Sequence, residues 1–307
     1  MGVDLSVTLG KIKMANPVMV SSGTFGCGSE YGDLVDVNSL GAIVTKTVTL
    51  KPRSGNPPPR IAESASGMLN AIGLENIGID RFIEEKLPYL RSLRVPAIIS
   101  IAGDTVEEYV CLAERLNKEK TAALELNISC PNVKSKKGRM FSQDKEGVRE
   151  VVSAVRRQTK AVLIVKLSPN VTDIKEIAMA AEEAGADVIS LVNTFGGMLV
   201  DIEKKVPKLG NVTGGLSGPA IKPIALRMVY EAASCVDIPV VGQGGIMNWE
   251  DALEFIIVGA DAVSIGTANF IDPRSTFKIV EGIKKYMAAR GIEEISGLVG
   301  TLKINRE

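Results

Sequence analysis

The chain has 307 residues, 45% of them hydrophobic, and its 36 Lys and Arg balance 36 Asp and Glu. That is enough apolar material for one large core, so a single domain over 1–307 is expected, and the absent net field argues against nucleic acid and anionic membrane surfaces as partners. With no histidine and four cysteines lacking any CxxC pair, Ser-His-Asp and His-metal chemistry are excluded, and neither a disulfide framework nor a metal site is signalled.

Met1 to Lys13 lacks the basic-then-apolar run of a signal peptide, and no stretch approaches the roughly 20 apolar residues of a membrane span. A cytoplasmic protein is expected. Val3 to Lys13 alternates as a hairpin would around Leu9 and Gly10, a shape suited to plugging a barrel floor. Eight short Val- and Ile-rich runs follow: Val18 to Ser22, Ala42 to Thr47, Ala97 to Ile101, Ala123 to Ile128, Val162 to Leu167, Val188 to Asn193, Val240 to Gln243 and Ala262 to Ile265. Nearly continuous apolar runs read as parallel strands covered on both faces.

Helical spacing fills the gaps most clearly at Asp104 to Lys118, Lys145 to Thr159, Asp173 to Ala184, Pro219 to Ser234 and Trp249 to Val258. Asp104 and Thr105, Thr172 and Asp173, and Asn248 with Asp251 three positions on supply start signals. Strand and helix repeated eight times closes most economically as a (β/α)₈ TIM barrel, with a doubly wound open sheet as the alternative. Long loops at Leu50 to Ile79, Pro131 to Gln143 and Phe195 to Ser217 all leave strand C-terminal ends. In a barrel they converge on the face that carries active sites.

Strands seven and eight run into Gln243-Gly244-Gly245 and Ile265-Gly266-Thr267. Glycine turns ahead of helices suit a phosphate, although tight turns alone would read the same way. Sugar phosphates, pyridoxal phosphate and FMN would all fit. Lys46 and Lys166 sit among apolar strand residues, where an unpaired ammonium is costly, so both should face an anion; a Schiff-base role is the rival. Asn70, Asn127, Asn132 and Asn193 cluster at strand ends and in adjoining loops. Singly each suits a turn, but together their fork-like carboxamides match a flat ring with alternating N–H and C=O edges. Cys130 follows strand four, ahead of Lys134, Lys136, Lys137 and Arg139. It is read as the acid-base residue, since cations nearby lower a thiol's pKa; a small buried side chain is the bland alternative.

The strings NAIGLEN (Asn70 to Asn76), NISCPN (Asn127 to Asn132), VNT (Val192 to Thr194), TGGLSGPAIKPIALRMVYE (Thr213 to Glu231) and GQGGIMNWEDALEFIIVGADAVSIGTA (Gly242 to Ala268) resemble the class 1B dihydroorotate dehydrogenases, catalytic subunit. The resemblance implies oxidation of dihydroorotate to orotate in pyrimidine biosynthesis, with Cys130 as base and FMN taking the hydride. It implies FMN contacts at Ser22, Lys46, Thr47 and Asn127, at Lys166 and Val192, and at Gly218, Gly244, Gly245, Gly266 and Thr267. Substrate contacts would come from Lys46, Asn70, Asn127, Asn132, Asn193 and Thr194, with backbone donors at Ala71, Ile72, Gly73 and Leu74. The family's asparagine near the end of strand three is Ser100 here. The loop Pro131 to Gln143, hinged at Gly138, would close over the substrate.

No Gly-x-Gly-x-x-Gly fingerprint or iron-sulfur cysteine spacing is present. The resemblance therefore implies a partner subunit carrying FAD and [2Fe-2S] that passes electrons to NAD, two catalytic chains pairing as a homodimer within a heterotetramer. Alternatives are the class 1A fumarate-linked homodimer, a non-redox phosphate-binding aldolase or isomerase, and a non-catalytic flavin carrier or ligand sensor.

Overall fold

The structure, a computed structural model, describes residues 2–128 and 141–304. Cys130 and Asn132 lie outside the described residues, as does most of the expected lid. Eight parallel strands close a barrel in chain order: β1 Val18–Val20, β2 Ala42–Val44, β3 Ala97–Ile101, β4 Ala123–Asn127, β5 Val162–Lys166, β6 Val188–Leu191, β7 Val240–Gln243 and β8 Ala262–Ile265. Closure comes where β8 pairs with β1, Val263 beside Val18 and Ile265 beside Val20. The open-sheet alternative is thereby excluded.

Sequence periodicity explains the outer ring. In Lys145–Arg156, Val148, Val151, Val152 and Val155 recur at helical spacing and are all buried, while Asp144 caps the first turn by accepting the Glu146 N–H. Thr105 and Asp173 cap the helices Val106–Lys118 and Ile174–Glu183 in the same way, each satisfying an N–H that the helix itself leaves unpaired. The start signal at Asn248 and Asp251 resembles a capping box, of which only the forward arm forms. Asn248 Oδ1 accepts the Asp251 N–H at 2.8 Å, but the Asp251 carboxylate accepts the N–H of Met247 instead and pairs with Lys222 at 2.6 Å.

Side chains alternate along a strand, so each strand sends every second residue inward. The inward set divides by height. Toward the strand N-termini it is apolar: Met19, Val44, Ile98, Ile164 and Val241 form one buried cluster, closed from below by Leu9, Ile12 and Met14 of the hairpin Val7–Leu9/Ile12–Met14. Gly10 turns that hairpin at φ 58°, against the side chain of Val162. The plug expected from Val3 to Lys13 is therefore in place. Toward the C-terminal ends the inward residues become polar, with Ser21, Ser100, Glu125, Lys166, Ser190, Gln243 and Ser264 all buried.

Two of the long loops are not structureless. Ile61–Ser64, Gly67–Asn70, Gly214–Ser217 and Phe195–Gly197 pair as a four-stranded antiparallel sheet, Asn70 lying opposite both Ile61 and Gly215. This sheet joins the loop after β2 to the loop after β6 across the barrel mouth.

Candidate active site

The polar upper half is one connected network. Ser22 Oγ lies 2.8 Å from Thr47 Oγ1, and Thr47 Oγ1 lies 2.9 Å from Ser100 Oγ. Ser100 donates to Glu125 Oε1 at 3.0 Å, and Ser190 donates to Glu125 Oε2 at 3.4 Å. Asn127 Nδ2 donates to Thr47 at 3.2 Å, Asn193 Nδ2 reaches Asn127 Oδ1 at 3.5 Å, and Asn193 Oδ1 accepts the Thr194 N–H at 2.8 Å. The hydroxyl of Tyr109, from the covering helix, donates to the Asn127 carbonyl. Ser22, Thr47, Asn127, Asn193 and Thr194, widely spaced in sequence, therefore meet. Buried polar groups linked in this way are stiff, because any one that turned away would be left unsatisfied in low dielectric.

Two ammonium groups stand in the same half. Lys166 is only 5% exposed and lies in register between Asn127 and Ser190. Neither Lys166 nor Lys46 has a carboxylate partner within 4 Å among the described residues; Lys46 belongs to the mouth, its ammonium 3.9 Å from where a Cβ on Gly23 would project. Burial pushes the Lys46 pKa down; the Glu75 charge opposes that and the Arg60 charge adds to it. Cations held this way favour an anionic or strongly electron-accepting ligand.

The glycine turns gather on the opposite rim. Gly218, Gly244 and Gly245 adopt φ of 97°, 122° and 78°, a region that side chains avoid. A Cβ on Gly245 would sit 2.9 Å from the Gly218 carbonyl oxygen and 2.8 Å from the Lys222 nitrogen; one on Gly244 would sit 3.1 Å from Val192 Cγ2. Thr267 donates to Ser217 Oγ at 2.8 Å, which brings the end of β8 to Gly218. Gly266 lies beside Ser21, a Cβ there falling 3.6 Å from its hydroxyl. The two glycine turns expected to suit a phosphate thus share one rim with Gly218, an expected FMN contact. The Gln243 amide nitrogen beneath it is buried without a hydrogen-bond partner among the described residues. A phosphate-bearing planar cofactor fits these observations: a narrow glycine rim, cations and an orphaned donor to meet its tail and ring. FMN meets that description.

Asn70 joins the site through the antiparallel sheet, its Nδ2 donating to the Gly215 carbonyl at 3.4 Å. One expected backbone donor is already used: the Ala71 N–H donates to Arg60 at 2.8 Å, which leaves Ile72, Gly73 and Leu74 of the expected four. Sequence reasoning missed Glu125, Ser190 and Tyr109 and marked Ser100 only as a departure from the family pattern; it also missed Asn170, which braces the mouth by donating to the Thr194 carbonyl and accepting the Gly196 N–H. Glu125 did carry a signal. A lone charge in Ala123-Leu124-Glu125-Leu126 is the same kind of feature that singled out Lys166.

The family model for dihydroorotate dehydrogenase matches residues 4–287. The chain is 52% identical over 303 residues to the "dihydroorotate dehydrogenase B (NAD(+)), catalytic subunit" of Thermoanaerobacter sp. strain X514, covering 99% of this chain and 100% of that one. It is 54% identical to the protein of the same name from Geotalea daltonii, over 98% of this chain and 99% of that one. Among solved structures, the dihydroorotate dehydrogenase of Eimeria tenella in complex with ferulenol superposes with a TM-score of 0.81 at 22% identity, over 97% of this chain and 88% of that chain, a likeness of fold. On a family match across most of the chain and relatives this similar end to end, the chain belongs to the dihydroorotate dehydrogenase family.

Proposed function

We propose that this chain is the catalytic subunit of an NAD-linked dihydroorotate dehydrogenase, oxidising dihydroorotate to orotate for pyrimidine biosynthesis in the cytoplasm. The observation that carries the reading is the facing pair Asn127 and Asn193, held by one hydrogen-bond network beside Lys46 and Lys166. Carboxamides present donor and acceptor together, the complement of a dihydropyrimidine edge. Lys46, Asn70, Asn127, Asn193 and Thr194, with Asn132 and the backbone of Ile72 to Leu74, would hold that ring.

The FMN tail would be gripped by Gly218, Gly244, Gly245, Gly266 and Thr267, and its ring contacted by Ser22, Lys46, Thr47, Asn127, Lys166 and Val192. When bound, FMN supplies a two-electron acceptor beside the substrate. The chain's own work is then positional and acid-base. The Lys46 and Lys166 ammonium groups stabilise negative charge that builds on the reacting rings. Cys130, as thiolate, would remove the proton from the ring carbon next to the substrate carbonyl. Asn127 and Asn193 would hold the ring for that step, since a misplacement of about 1 Å can cost roughly 10²-fold in rate.

Electrons would leave through a partner subunit with FAD and a [2Fe-2S] cluster, two catalytic chains pairing at the centre of a heterotetramer. Support comes from the relatives' name, "catalytic subunit", and from the missing dinucleotide fingerprint and iron-sulfur spacing in this chain. Among the described residues, no helix is long and apolar enough to cross a membrane. The test is an anaerobic titration of the purified, yellow protein with dihydroorotate. Bleaching of the flavin bands is expected; a colourless protein would favour an aldolase or isomerase, and a yellow protein left unbleached would favour a flavin carrier. Efficient fumarate reduction by a homodimer alone would move the assignment to class 1A.

A further inference from the structure

Resting on the FMN reading of the site given above, we propose that Gln243 is a further cofactor-binding residue, one that holds the hydroxyl-bearing chain between the flavin ring and its phosphate. Gln243 is the last residue of β7. Two positions below it Val241 packs in the apolar floor, the intervening Gly242 lies against Phe255 of the outer helix Trp249–Ile257, and directly after it come the rim glycines Gly244 and Gly245. Strand alternation therefore turns the Gln243 side chain into the barrel, at the height where floor gives way to mouth. It is 4% exposed.

The amide is half satisfied. Its Oε1 accepts from Ser21 Oγ at 3.2 Å, and Ser21 Oγ lies 2.8 Å from the hydroxyl of Ser264, the residue in register with Gln243 on β8. Its Nε2 has no partner among the described residues. The other buried side-chain atoms left unpaired there belong to Ser64 in the mouth sheet and to Asn269 and Thr276 in helices, so Gln243 is the one on a barrel strand. Turning the amide over does not help: a hydroxyl takes either sense, so Ser21 would face the nitrogen and the oxygen would be orphaned instead. A buried amide end without a partner is costly, and a ligand that meets it removes the cost. Position selects the ligand atom. On one side stands the glycine rim, beginning at Gly244, with the Gln243 carbonyl accepting the Val192 N–H at 3.0 Å. On the other stands Ser21, whose neighbour Ser22 opens the run through Thr47 to Asn127. The rim suits the phosphate and the run suits the ring, so the free end of the amide lies between them. In FMN a ribityl chain spans that interval, and its hydroxyls can accept from an N–H or donate to a C=O. Such a chain satisfies the amide whichever end it presents.

The test uses the full-length chain stripped of flavin and titrated with FMN, with riboflavin, which lacks the phosphate, or with lumiflavin, which lacks the whole tail. Dissociation constants are read from flavin fluorescence. Gln243→Met keeps the length of the side chain and removes the amide. It should raise the FMN and riboflavin constants by the same factor, about tenfold, near the value of one hydrogen bond, and leave the lumiflavin constant unchanged. Should Gln243→Met not fold, Gln243→Leu decides in its place. An unaltered riboflavin constant would overturn the proposal: if FMN alone weakened, the amide would serve the phosphate, and if neither weakened, it would serve no part of the cofactor. An equal loss for lumiflavin would also overturn it, by assigning the amide to the ring or to the shape of the site as a whole. Parent protein that binds neither FMN nor riboflavin would overturn the FMN reading itself, and the proposal with it.

Discussion

The lower and upper halves of the barrel interior are built on the same eight strands and differ in almost everything else. Below, Met19, Val44, Ile98, Ile164 and Val241 pack on the hairpin residues Leu9, Ile12 and Met14. Above, two positions further along the same strands, stand Ser21, Lys46, Ser100, Glu125, Lys166, Ser190 and Gln243. The lower half gains stability from removing apolar surface from water. The upper half surrenders that gain to place cations, hydroxyls and carboxamides where a ligand can meet them. An active site is tolerable in the core of this fold because the apolar half beneath it, with its plug, supplies the packing that the mouth forgoes.

Substitutions on either side of the divide should separate stability from chemistry. The largest effect belongs to the mouth. Cys130→Ala should leave the protein yellow and folded while anaerobic reduction by dihydroorotate slows about 10²- to 10⁴-fold, the usual worth of a general base; an undiminished rate would remove the thiol from the mechanism. Next comes the floor. Ile164→Ala deletes a side chain that is 1% exposed and should cost about 2–5 kcal/mol in urea unfolding, yet turnover per bound FMN should stay near that of the parent. A variant of the floor that folded but lost FMN would erase the division drawn here.

Lys166→Met probes the boundary. Removing a buried ammonium that has no carboxylate partner among the described residues should leave the apoprotein as stable or slightly more so, while FMN retained after desalting falls about tenfold; equal retention would show that Lys166 does not serve the cofactor. The smallest effect is on pH dependence. Burial lowers the Lys46 pKa below its ordinary 10.5 in the folded chain. Between that lowered value and 10.5 the unfolded chain binds more protons, so the Lys46 contribution to apoprotein stability grows as pH rises, being full above 10.5 and lost as pH falls through the folded value. Lys46→Met should flatten that rise in urea midpoints measured across alkaline pH, and a slope that Lys46→Met leaves unaltered would count against burial as the cause.

Much of the site was legible because its signals are local. Lys166 stands out in Ile164-Val165-Lys166-Leu167 without reference to any other part of the chain, and Gly244-Gly245 declares a turn by itself. Ser100 was legible only as a departure from a family pattern, and its role was not. Its partners Thr47 and Glu125 are 53 and 25 residues away, and a serine in a strand looks the same whether it ends at a carboxylate or at nothing. The loops after β2 and β6 misled for a related reason. Gly67–Asn70 and Gly214–Ser217 are short and glycine-bearing, weak strands alone, and only pairing across a gap of 145 residues between Asn70 and Gly215 makes them a sheet.

The amino-acid sequence by itself determined the repeating strand and helix, the hairpin at the start, the glycine rim and the buried charges, since each follows from periodicity, capping or the cost of desolvating a charge within a few residues. Barrel closure, the sheet over the mouth and the hydrogen-bonded network that links Glu125, Ser100, Thr47, Asn127 and Asn193 were decided only in three dimensions. Such features depend on which distant groups become neighbours, and a hydroxyl or carboxamide takes its sense as donor or acceptor from the partner it meets.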